Sequence, residues 1–249
     1  MLVWKGCTDL GKTRPINEDS YYISDYSEAL DGSYAIVADG MGGHKAGEIA
    51  SSMAIFSISE MINEEAFRGI TPAELKDLLG RAIKKANSSI YEKSHEESAY
   101  YGMGTTLTLC FVMGDKAVVA HVGDSRAYLH RQETIHQITT DHSLVQELLR
   151  SGRITQEEAQ HHPQKNVITR ALGTDTDVEI DIYEFSVCAG DVLLLTTDGL
   201  TNLLSDEMIA AELTESTSSS LEEVAEKLVS GANQHGGYDN ITAVLGIVE

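Results

Sequence analysis

Glu18, Asp19, Asp39, Asp124, Asp198 and Asp239 each stand at or beside the end of a short apolar run in this sequence. Asp39-Gly40 and Asp198-Gly199 close two runs that look alike, Ser-Tyr-Ala-Ile-Val-Ala and Val-Leu-Leu-Leu-Thr-Thr. Asp-Gly is an ordinary turn sequence, and either step alone reads that way. Gathered in one place, the acids mean something else. Two carboxylates about 4 Å apart repel by roughly 4 kcal/mol at an effective dielectric of 20, so a fold that collected five of them would need cations. Hard divalent ions take such oxygen ligands. Arg14, in Arg14-Pro15-Ile16-Asn17-Glu18-Asp19, adds a planar fork that can hold two phosphate oxygens. The same six residues also suit a solvated loop; with the acids beside them, they suit a site that processes phosphate.

Other motifs are weaker. Gly6 to Thr13 matches the Walker A pattern letter for letter, but a phosphate-cradling loop runs into a helix. Here Asp9 would sit against the phosphates, and nothing after Thr13 has helical period. Gly123-Asp124-Ser125-Arg126 lacks the trailing glycine of a serine nucleophile elbow, which leaves a hairpin turn or an oxygen ligand at Asp124. No histidine pair has zinc spacing, and Asp175-Thr176-Asp177 lacks the glycine of a calcium loop, carrying Ile180 in its place.

The 249 residues, 42 % hydrophobic with three prolines, fit one domain with a large core. A formal charge of −21 repels nucleic acid and anionic membranes. Cys7, Cys110 and Cys188 have no paired spacing, and the last two fall in strand-like runs where a thiol packs as a small apolar group. That usage suits a reducing cytoplasm. No apolar run approaches a membrane span and no export signal opens the chain.

The elements that must position these residues follow from period. Strands are expected at 2–8, 20–24 and 33–38, the last delivering Asp39 into a glycine-rich turn. A helix from Ala46 to Met61 would bury Ile49, Met53 and Phe56. Thr71-Pro72-Ala73-Glu74 has the form of a capping box before a helix patterned by Leu75, Leu78, Leu79, Ala82, Ile83, Ala86 and Ile90. Alternation from Gly104 predicts an antiparallel meander. Residues 140–170 read as an exposed, mobile excursion with helical pieces at Leu144–Arg150 and Thr155–Gln160. Strands at Val178–Val187 and Val192–Thr196, a helix opened by Ser220 with Glu223, and a strand at Ile241–Val248 complete the chain. This order favours two packed sheets with outer helices over strict βαβ alternation.

The ordered series RPINEDS, VADGMGGHKAGEIAS, GMGTTL, GDSRAYL, ITRALG, TTDGLTNLL and DNITAVL resembles the metal-dependent protein phosphatases of the 2C type (PPM family) in their compact bacterial form, from Asp9 to Val248. The resemblance implies an α+β fold: a four-layer αββα sandwich, two central antiparallel sheets flanked by helices, one domain over 1–249 with a flap at 140–170. It implies hydrolysis of phosphoserine and phosphothreonine on proteins, opposing a bacterial serine/threonine kinase, by a cytoplasmic monomer. Two core ions, Mn2+ or Mg2+, map onto Asp39 as bridging ligand, the Gly40 carbonyl, Asp198 and Asp239, with Glu18 joining directly or through water and Asp19 behind them. Asp124 with Asp198 matches a weaker third ion, Arg14 the phosphate-binding arginine, and Asn240 a polar residue beside the last ligand. Many eukaryotic members carry a histidine directly after the first Asp-Gly, where Met41 stands here. The bacterial pattern places its histidine at His44, a candidate general acid alongside water. A non-catalytic relative that captures phosphoproteins is the rival reading, and a nucleotide-binding loop around Lys12 the third.

Overall fold

The computed structural model describes residues 2–27, 30–42, 46–96 and 98–249. The first half of the chain supplies β1 (Leu2–Asp9), β2 (Asp19–Ile23), β3 (Gly32–Met41), α1 (Ala46–Glu65), α2 (Pro72–Glu96), β4 (Gly104–Thr105), β5 (Leu107–Met113) and β6 (Lys116–Val122). Then come β7 (Arg126–Arg131), β8 (Thr134–Gln137), α3 (Leu144–Arg150), α4 (Gln156–Gln160), β9 (Asp181–Ser186) and β10 (Val192–Thr196). Last are α5 (Asp198–Thr201), α6 (Asp206–Leu213), α7 (Leu221–Gln234) and β11 (Ile241–Val248).

Two antiparallel sheets result, one ordered β1-β11-β10-β7-β8 and the other β2-β3-β5-β6-β9 with β4 beside β3. Successive side chains of a strand leave on opposite faces. In β3, Ala35 and Val37 therefore enter the space between the sheets with Trp4, Cys110, Leu195 and Val244, while Tyr34, Ile36 and Ala38 meet α1 and α2. In β10, Leu193 and Leu195 face inward and Val192 and Leu194 pack with residues of α6 and α7. Both faces of both central strands are buried, which is why their sequences are unbroken apolar runs rather than alternations. Helices cover the outer faces, and the four layers are those expected.

The local signals were uneven guides. Thr71 and Glu74 form the capping box, Thr71 N donating to Glu74 Oε2 at 2.9 Å and Glu74 N to Thr71 Oγ1 at 3.3 Å. Ser220 does not cap α7, because its hydroxyl is engaged with Thr217 at 2.9 Å. Phe56 is 67 % exposed: α1 instead turns Ala50, Ala54, Ile58 and Ile62 to the sheet, small side chains that let the helix lie close. The strand expected from Val178 begins at Asp181. Cys110 is buried as expected, but Cys188 is exposed in the turn after β9. Residues 10–18, the Walker-like segment's continuation, hold turns and bends and no helix.

Both helical pieces of the 140–170 flap are present, and α3 has no buried residue. Its stems are built into the fold, however. Ser143 bridges Ile168, Leu144 N donates to Val167 O at 2.9 Å, and Thr169 N donates to His142 O at 2.7 Å.

Candidate metal centre

The two sheets open at one end, and the acids meet there. Asp39 lies inside β3 rather than beyond it, because the strand continues to Met41 by pairing Gly40 with Thr105 and Met41 with Gly104. The Asp39 backbone is fixed on several sides: its N–H donates to Thr106 Oγ1 at 2.9 Å, and its carbonyl accepts from Thr106 N and Thr105 Oγ1, both at 2.9 Å. The run GMGTTL thus sets the position of this acid. Gly40 is glycine for closeness, not for a turn. A Cβ there would stand 2.1 Å from the Gly47 carbonyl oxygen, so α1 starts directly on the strand. The second Asp-Gly step works the same way: Asp198 opens α5, and a Cβ on Gly199 would come within 1.9 Å of the Asn240 carbonyl oxygen.

Asp19 pairs in register with Asp39 across β2 and β3. It is buried, and its Oδ2 accepts from Thr197 Oγ1 at 2.8 Å and Thr242 Oγ1 at 2.6 Å, the first just past the end of β10 and the second in β11 of the other sheet. Its Oδ1 has no partner. Glu18 reaches the start of α1, accepting from Gly47 N at 3.2 Å, where the helix dipole favours a carboxylate.

Asn240 holds the loop between β1 and β2. Its Oδ1 accepts from Glu18 N at 2.8 Å, and its Nδ2 donates to Leu10 O at 2.9 Å and Ile16 O at 3.0 Å. At 4 % exposure, its loss would orphan three backbone groups. Asn240→Ala is expected to destabilise the protein by about 3 kcal/mol, read as a lowered urea midpoint; a change below about 1 kcal/mol would remove this role.

One cleft of about 220 Å3 is lined by Arg14, Glu18, Asp39, Gly40, Asp124, Asp198 and Asp239. From the flap, Asn166 and Ile168 complete its wall. Arg14 donates to Asp239 Oδ2 at 2.8 Å, and Asn202 Nδ2 to Asp198 Oδ2 at 2.9 Å. Burial pushes the Asp39 carboxyl well above its ordinary value, and Asp19, Asp198, Asp124 and Asp239 push it further. For the same reasons, burial first and acidic neighbours second, Asp19 rises to about 7, Asp124 to about 8 and Asp198 to about 6. Asp39 relieves Asp198 by sharing a hydrogen bond with it. Burial also raises Glu18.

Among the described residues no three His, Cys, Asp or Glu groups are drawn together as a ready-made metal cage. The donor set nevertheless fits hard cations: every acid offers oxygen, one buried oxygen is unpartnered, and mutual repulsion is the dominant acid–acid interaction. His44 lies outside the described residues.

The sequence pattern of protein phosphatase 2C matches residues 13–234. This chain belongs to the protein phosphatase 2C family. Protein phosphatase PhpP of Streptococcus pneumoniae serotype 2 is 40 % identical over 238 residues, covering 96 % of this chain and 94 % of its own. The 2C fold is equally clear in solved structures. The S. agalactiae serine/threonine phosphatase superposes with a TM-score of 0.91 at 39 % identity, over 100 % of both chains. The catalytic domain of PstP, solved with two manganese ions, gives 0.84 at 36 % identity over 99 % of each chain.

In this 2C-type phosphatase, the structure brings Arg14, Glu18, Asp39, Gly40, Asp124, Asp198 and Asp239 to one cleft, with Asp19 behind it. The roles of Thr105, Thr106 and Asn240 in holding that cleft were not read from spacing. They act through main-chain bonds, for which only their adjacency to chemical motifs gave a hint.

Proposed function

We propose that this serine/threonine protein phosphatase is metal-dependent and that Asp39, the Gly40 carbonyl, Asp198, Asp239 and Glu18 hold two core ions, Mn2+ or Mg2+, with Asp124 and Asp198 serving a weaker third. The observation that carries the reading is the single cleft in which buried, mutually repelling carboxylates face a guanidinium. When bound, the ions supply Lewis acidity and make water nucleophilic near neutral pH. The chain's own residues do the rest. Arg14 binds the phosphate: its side chain is half exposed and its present partner is Asp239, an acid it can release once cations compensate that charge. Asp19 stays behind the centre, its threonine bonds keeping the two sheets in register at the open end. His44, three residues beyond Met41, is the candidate proton donor to the leaving alkoxide.

The substrates are phosphoserine and phosphothreonine proteins, among them the targets of a serine/threonine kinase that this enzyme opposes, with the phosphatase acting as a cytoplasmic monomer. Hydrolysis of a phosphothreonine peptide should require Mn2+ or Mg2+ and stop with EDTA; turnover surviving complete metal removal would overturn the mechanism. Arg14→Ala should raise KM by about tenfold to a hundredfold, the worth of a charge-assisted phosphate contact. An unchanged KM would remove Arg14 from phosphate binding.

A further inference from the structure

We propose that His142 is a positioning residue, a lock that joins both stems of the flap to the Gly123–Asp124 loop and so sets where the Asp124 carboxylate stands. The geometry is a two-point attachment. His142 N donates to Gly123 O at 2.7 Å, and Gly123 N donates back to His142 Nδ1 at 3.0 Å. Gly123 has φ +113, a conformation that few other residues hold, so the backbone just before Asp124 has an unusual shape kept by a side chain 19 residues further along the chain.

The remaining contacts of His142 run into the flap. Its carbonyl accepts from Thr169 N at 2.7 Å, tying the incoming stem to the outgoing one, whose Asn166 and Ile168 line the catalytic cleft. Because Nδ1 accepts from Gly123, the ring proton lies on Nε2, 3.3 Å from Asp181 Oδ2. Arg170, from the outgoing stem, donates to Asp181 Oδ1 at 2.9 Å and to Glu179 Oε2 at 2.9 Å, and its NH1 also lies 3.0 Å from Nε2. One imidazole therefore connects the β6–β7 loop, both flap stems and β9. At 8 % exposure it is shielded from water, and His121, buried in β6, packs against it with ring centroids 4.8 Å apart and the planes tilted by 39°. A flap that shifts must carry Gly123 with it, and Asp124 follows.

This inference rests on the reading of Asp124 as a ligand, and the experiment separates the two. Metal-stripped wild type, His142→Ala, His142→Asn and Asp124→Asn would be titrated with Mn2+ by calorimetry, with hydrogen exchange followed at the Gly123 and Thr169 amides. Asp124→Asn identifies the binding step that needs Asp124. His142→Ala should weaken that step by about tenfold to a hundredfold, the usual effect of removing a group that orients a ligand, and should speed exchange at Gly123. His142→Asn, whose Oδ1 can accept from the same N–H, should recover most of both. Equal damage in the Ala and Asn variants would reduce His142 to a space-filler, and wild-type binding and exchange in His142→Ala would overturn the lock. If Asp124→Asn leaves the isotherm unchanged, the ligand role of Asp124 falls, and with it the claim that the lock sets a ligand; exchange at Gly123 then decides only whether the attachment exists.

Discussion

Asp39→Asn should lower phosphopeptide turnover at least about a thousandfold and, at the same time, make the metal-free protein more stable. The two effects have one cause. Asp39 sits in the register position opposite Asp19, with Asp198, Asp124 and Asp239 near enough to push its ionisation upward. An amide there cannot bridge cations, and losing the several kcal/mol of transition-state stabilisation that metals supply corresponds to three or more decades in rate. The same amide takes a charge out of a buried acid cluster. It can still donate to Asp198, as the Asp39 carboxyl does, so its neighbours ionise more easily and the empty fold is relieved. In EDTA near pH 8 the urea midpoint of the variant should exceed that of wild type; in excess Mn2+ the order should reverse, because only wild type gains the full binding free energy. A variant that keeps a tenth of wild-type turnover, or is less stable when metal-free, would contradict the assignment of Asp39.

Much of this site could be read from residue types because its chemistry needs acids and its strands are buried on both faces. Asp39 and Asp198 each follow a short run that is mainly apolar and free of charge, and a carboxylate at the end of such a run is exceptional enough to notice. The reason for Gly40 and Gly199 was not legible. Asp-Gly suggested turns, whereas β3 continues through Gly40 and α5 begins at Asp198; both glycines answer to backbone segments far away in sequence, Gly47 and Asn240. Phe56 was misplaced for a related reason. Helical period marks a face as apolar, but Ala50 and Ala54 fit nearer the sheet than a ring would, and a count of large apolar side chains gives them too little weight. The capping box at Thr71 was local and formed; the similar signal at Ser220 lost to Thr217, a competing hydroxyl three residues away. His142 left no trace at all in the spacing of histidines, since its partners are a backbone amide and residues near 170 and 180.

The pH dependence of the metal-free fold should be the reverse of ordinary acid denaturation over part of the range. Asp198, Asp19 and Asp124 rise to about 6, 7 and 8 from an unfolded value of 3.8, so above pH 4 the folded protein holds protons that the unfolded chain has released. Stability therefore falls as pH rises, until the highest of these groups is ionised near pH 8. The buried histidines oppose this at lower pH. His121 is depressed to about 3 and His142 is also lowered; each favours folding increasingly as pH climbs to the unfolded histidine value of 6.5. Between pH 6.5 and 8 only the last part of that contribution remains to be gained, while Asp19 and Asp124 are still losing protons. This is the decisive window: in EDTA the unfolding free energy should drop across it by an amount on the order of 2 kcal/mol, the carboxyl loss at about 1.4 kcal/mol per unit of pKa displacement still being crossed, less the last of the histidine gain. Divalent ions compete with those protons for the same oxygens, so their binding strengthens as pH rises. In excess Mn2+ the decline should flatten or invert, and the gap between the two curves should widen steadily toward pH 8. Parallel curves with and without Mn2+ would mean that these carboxylates do not hold the ions.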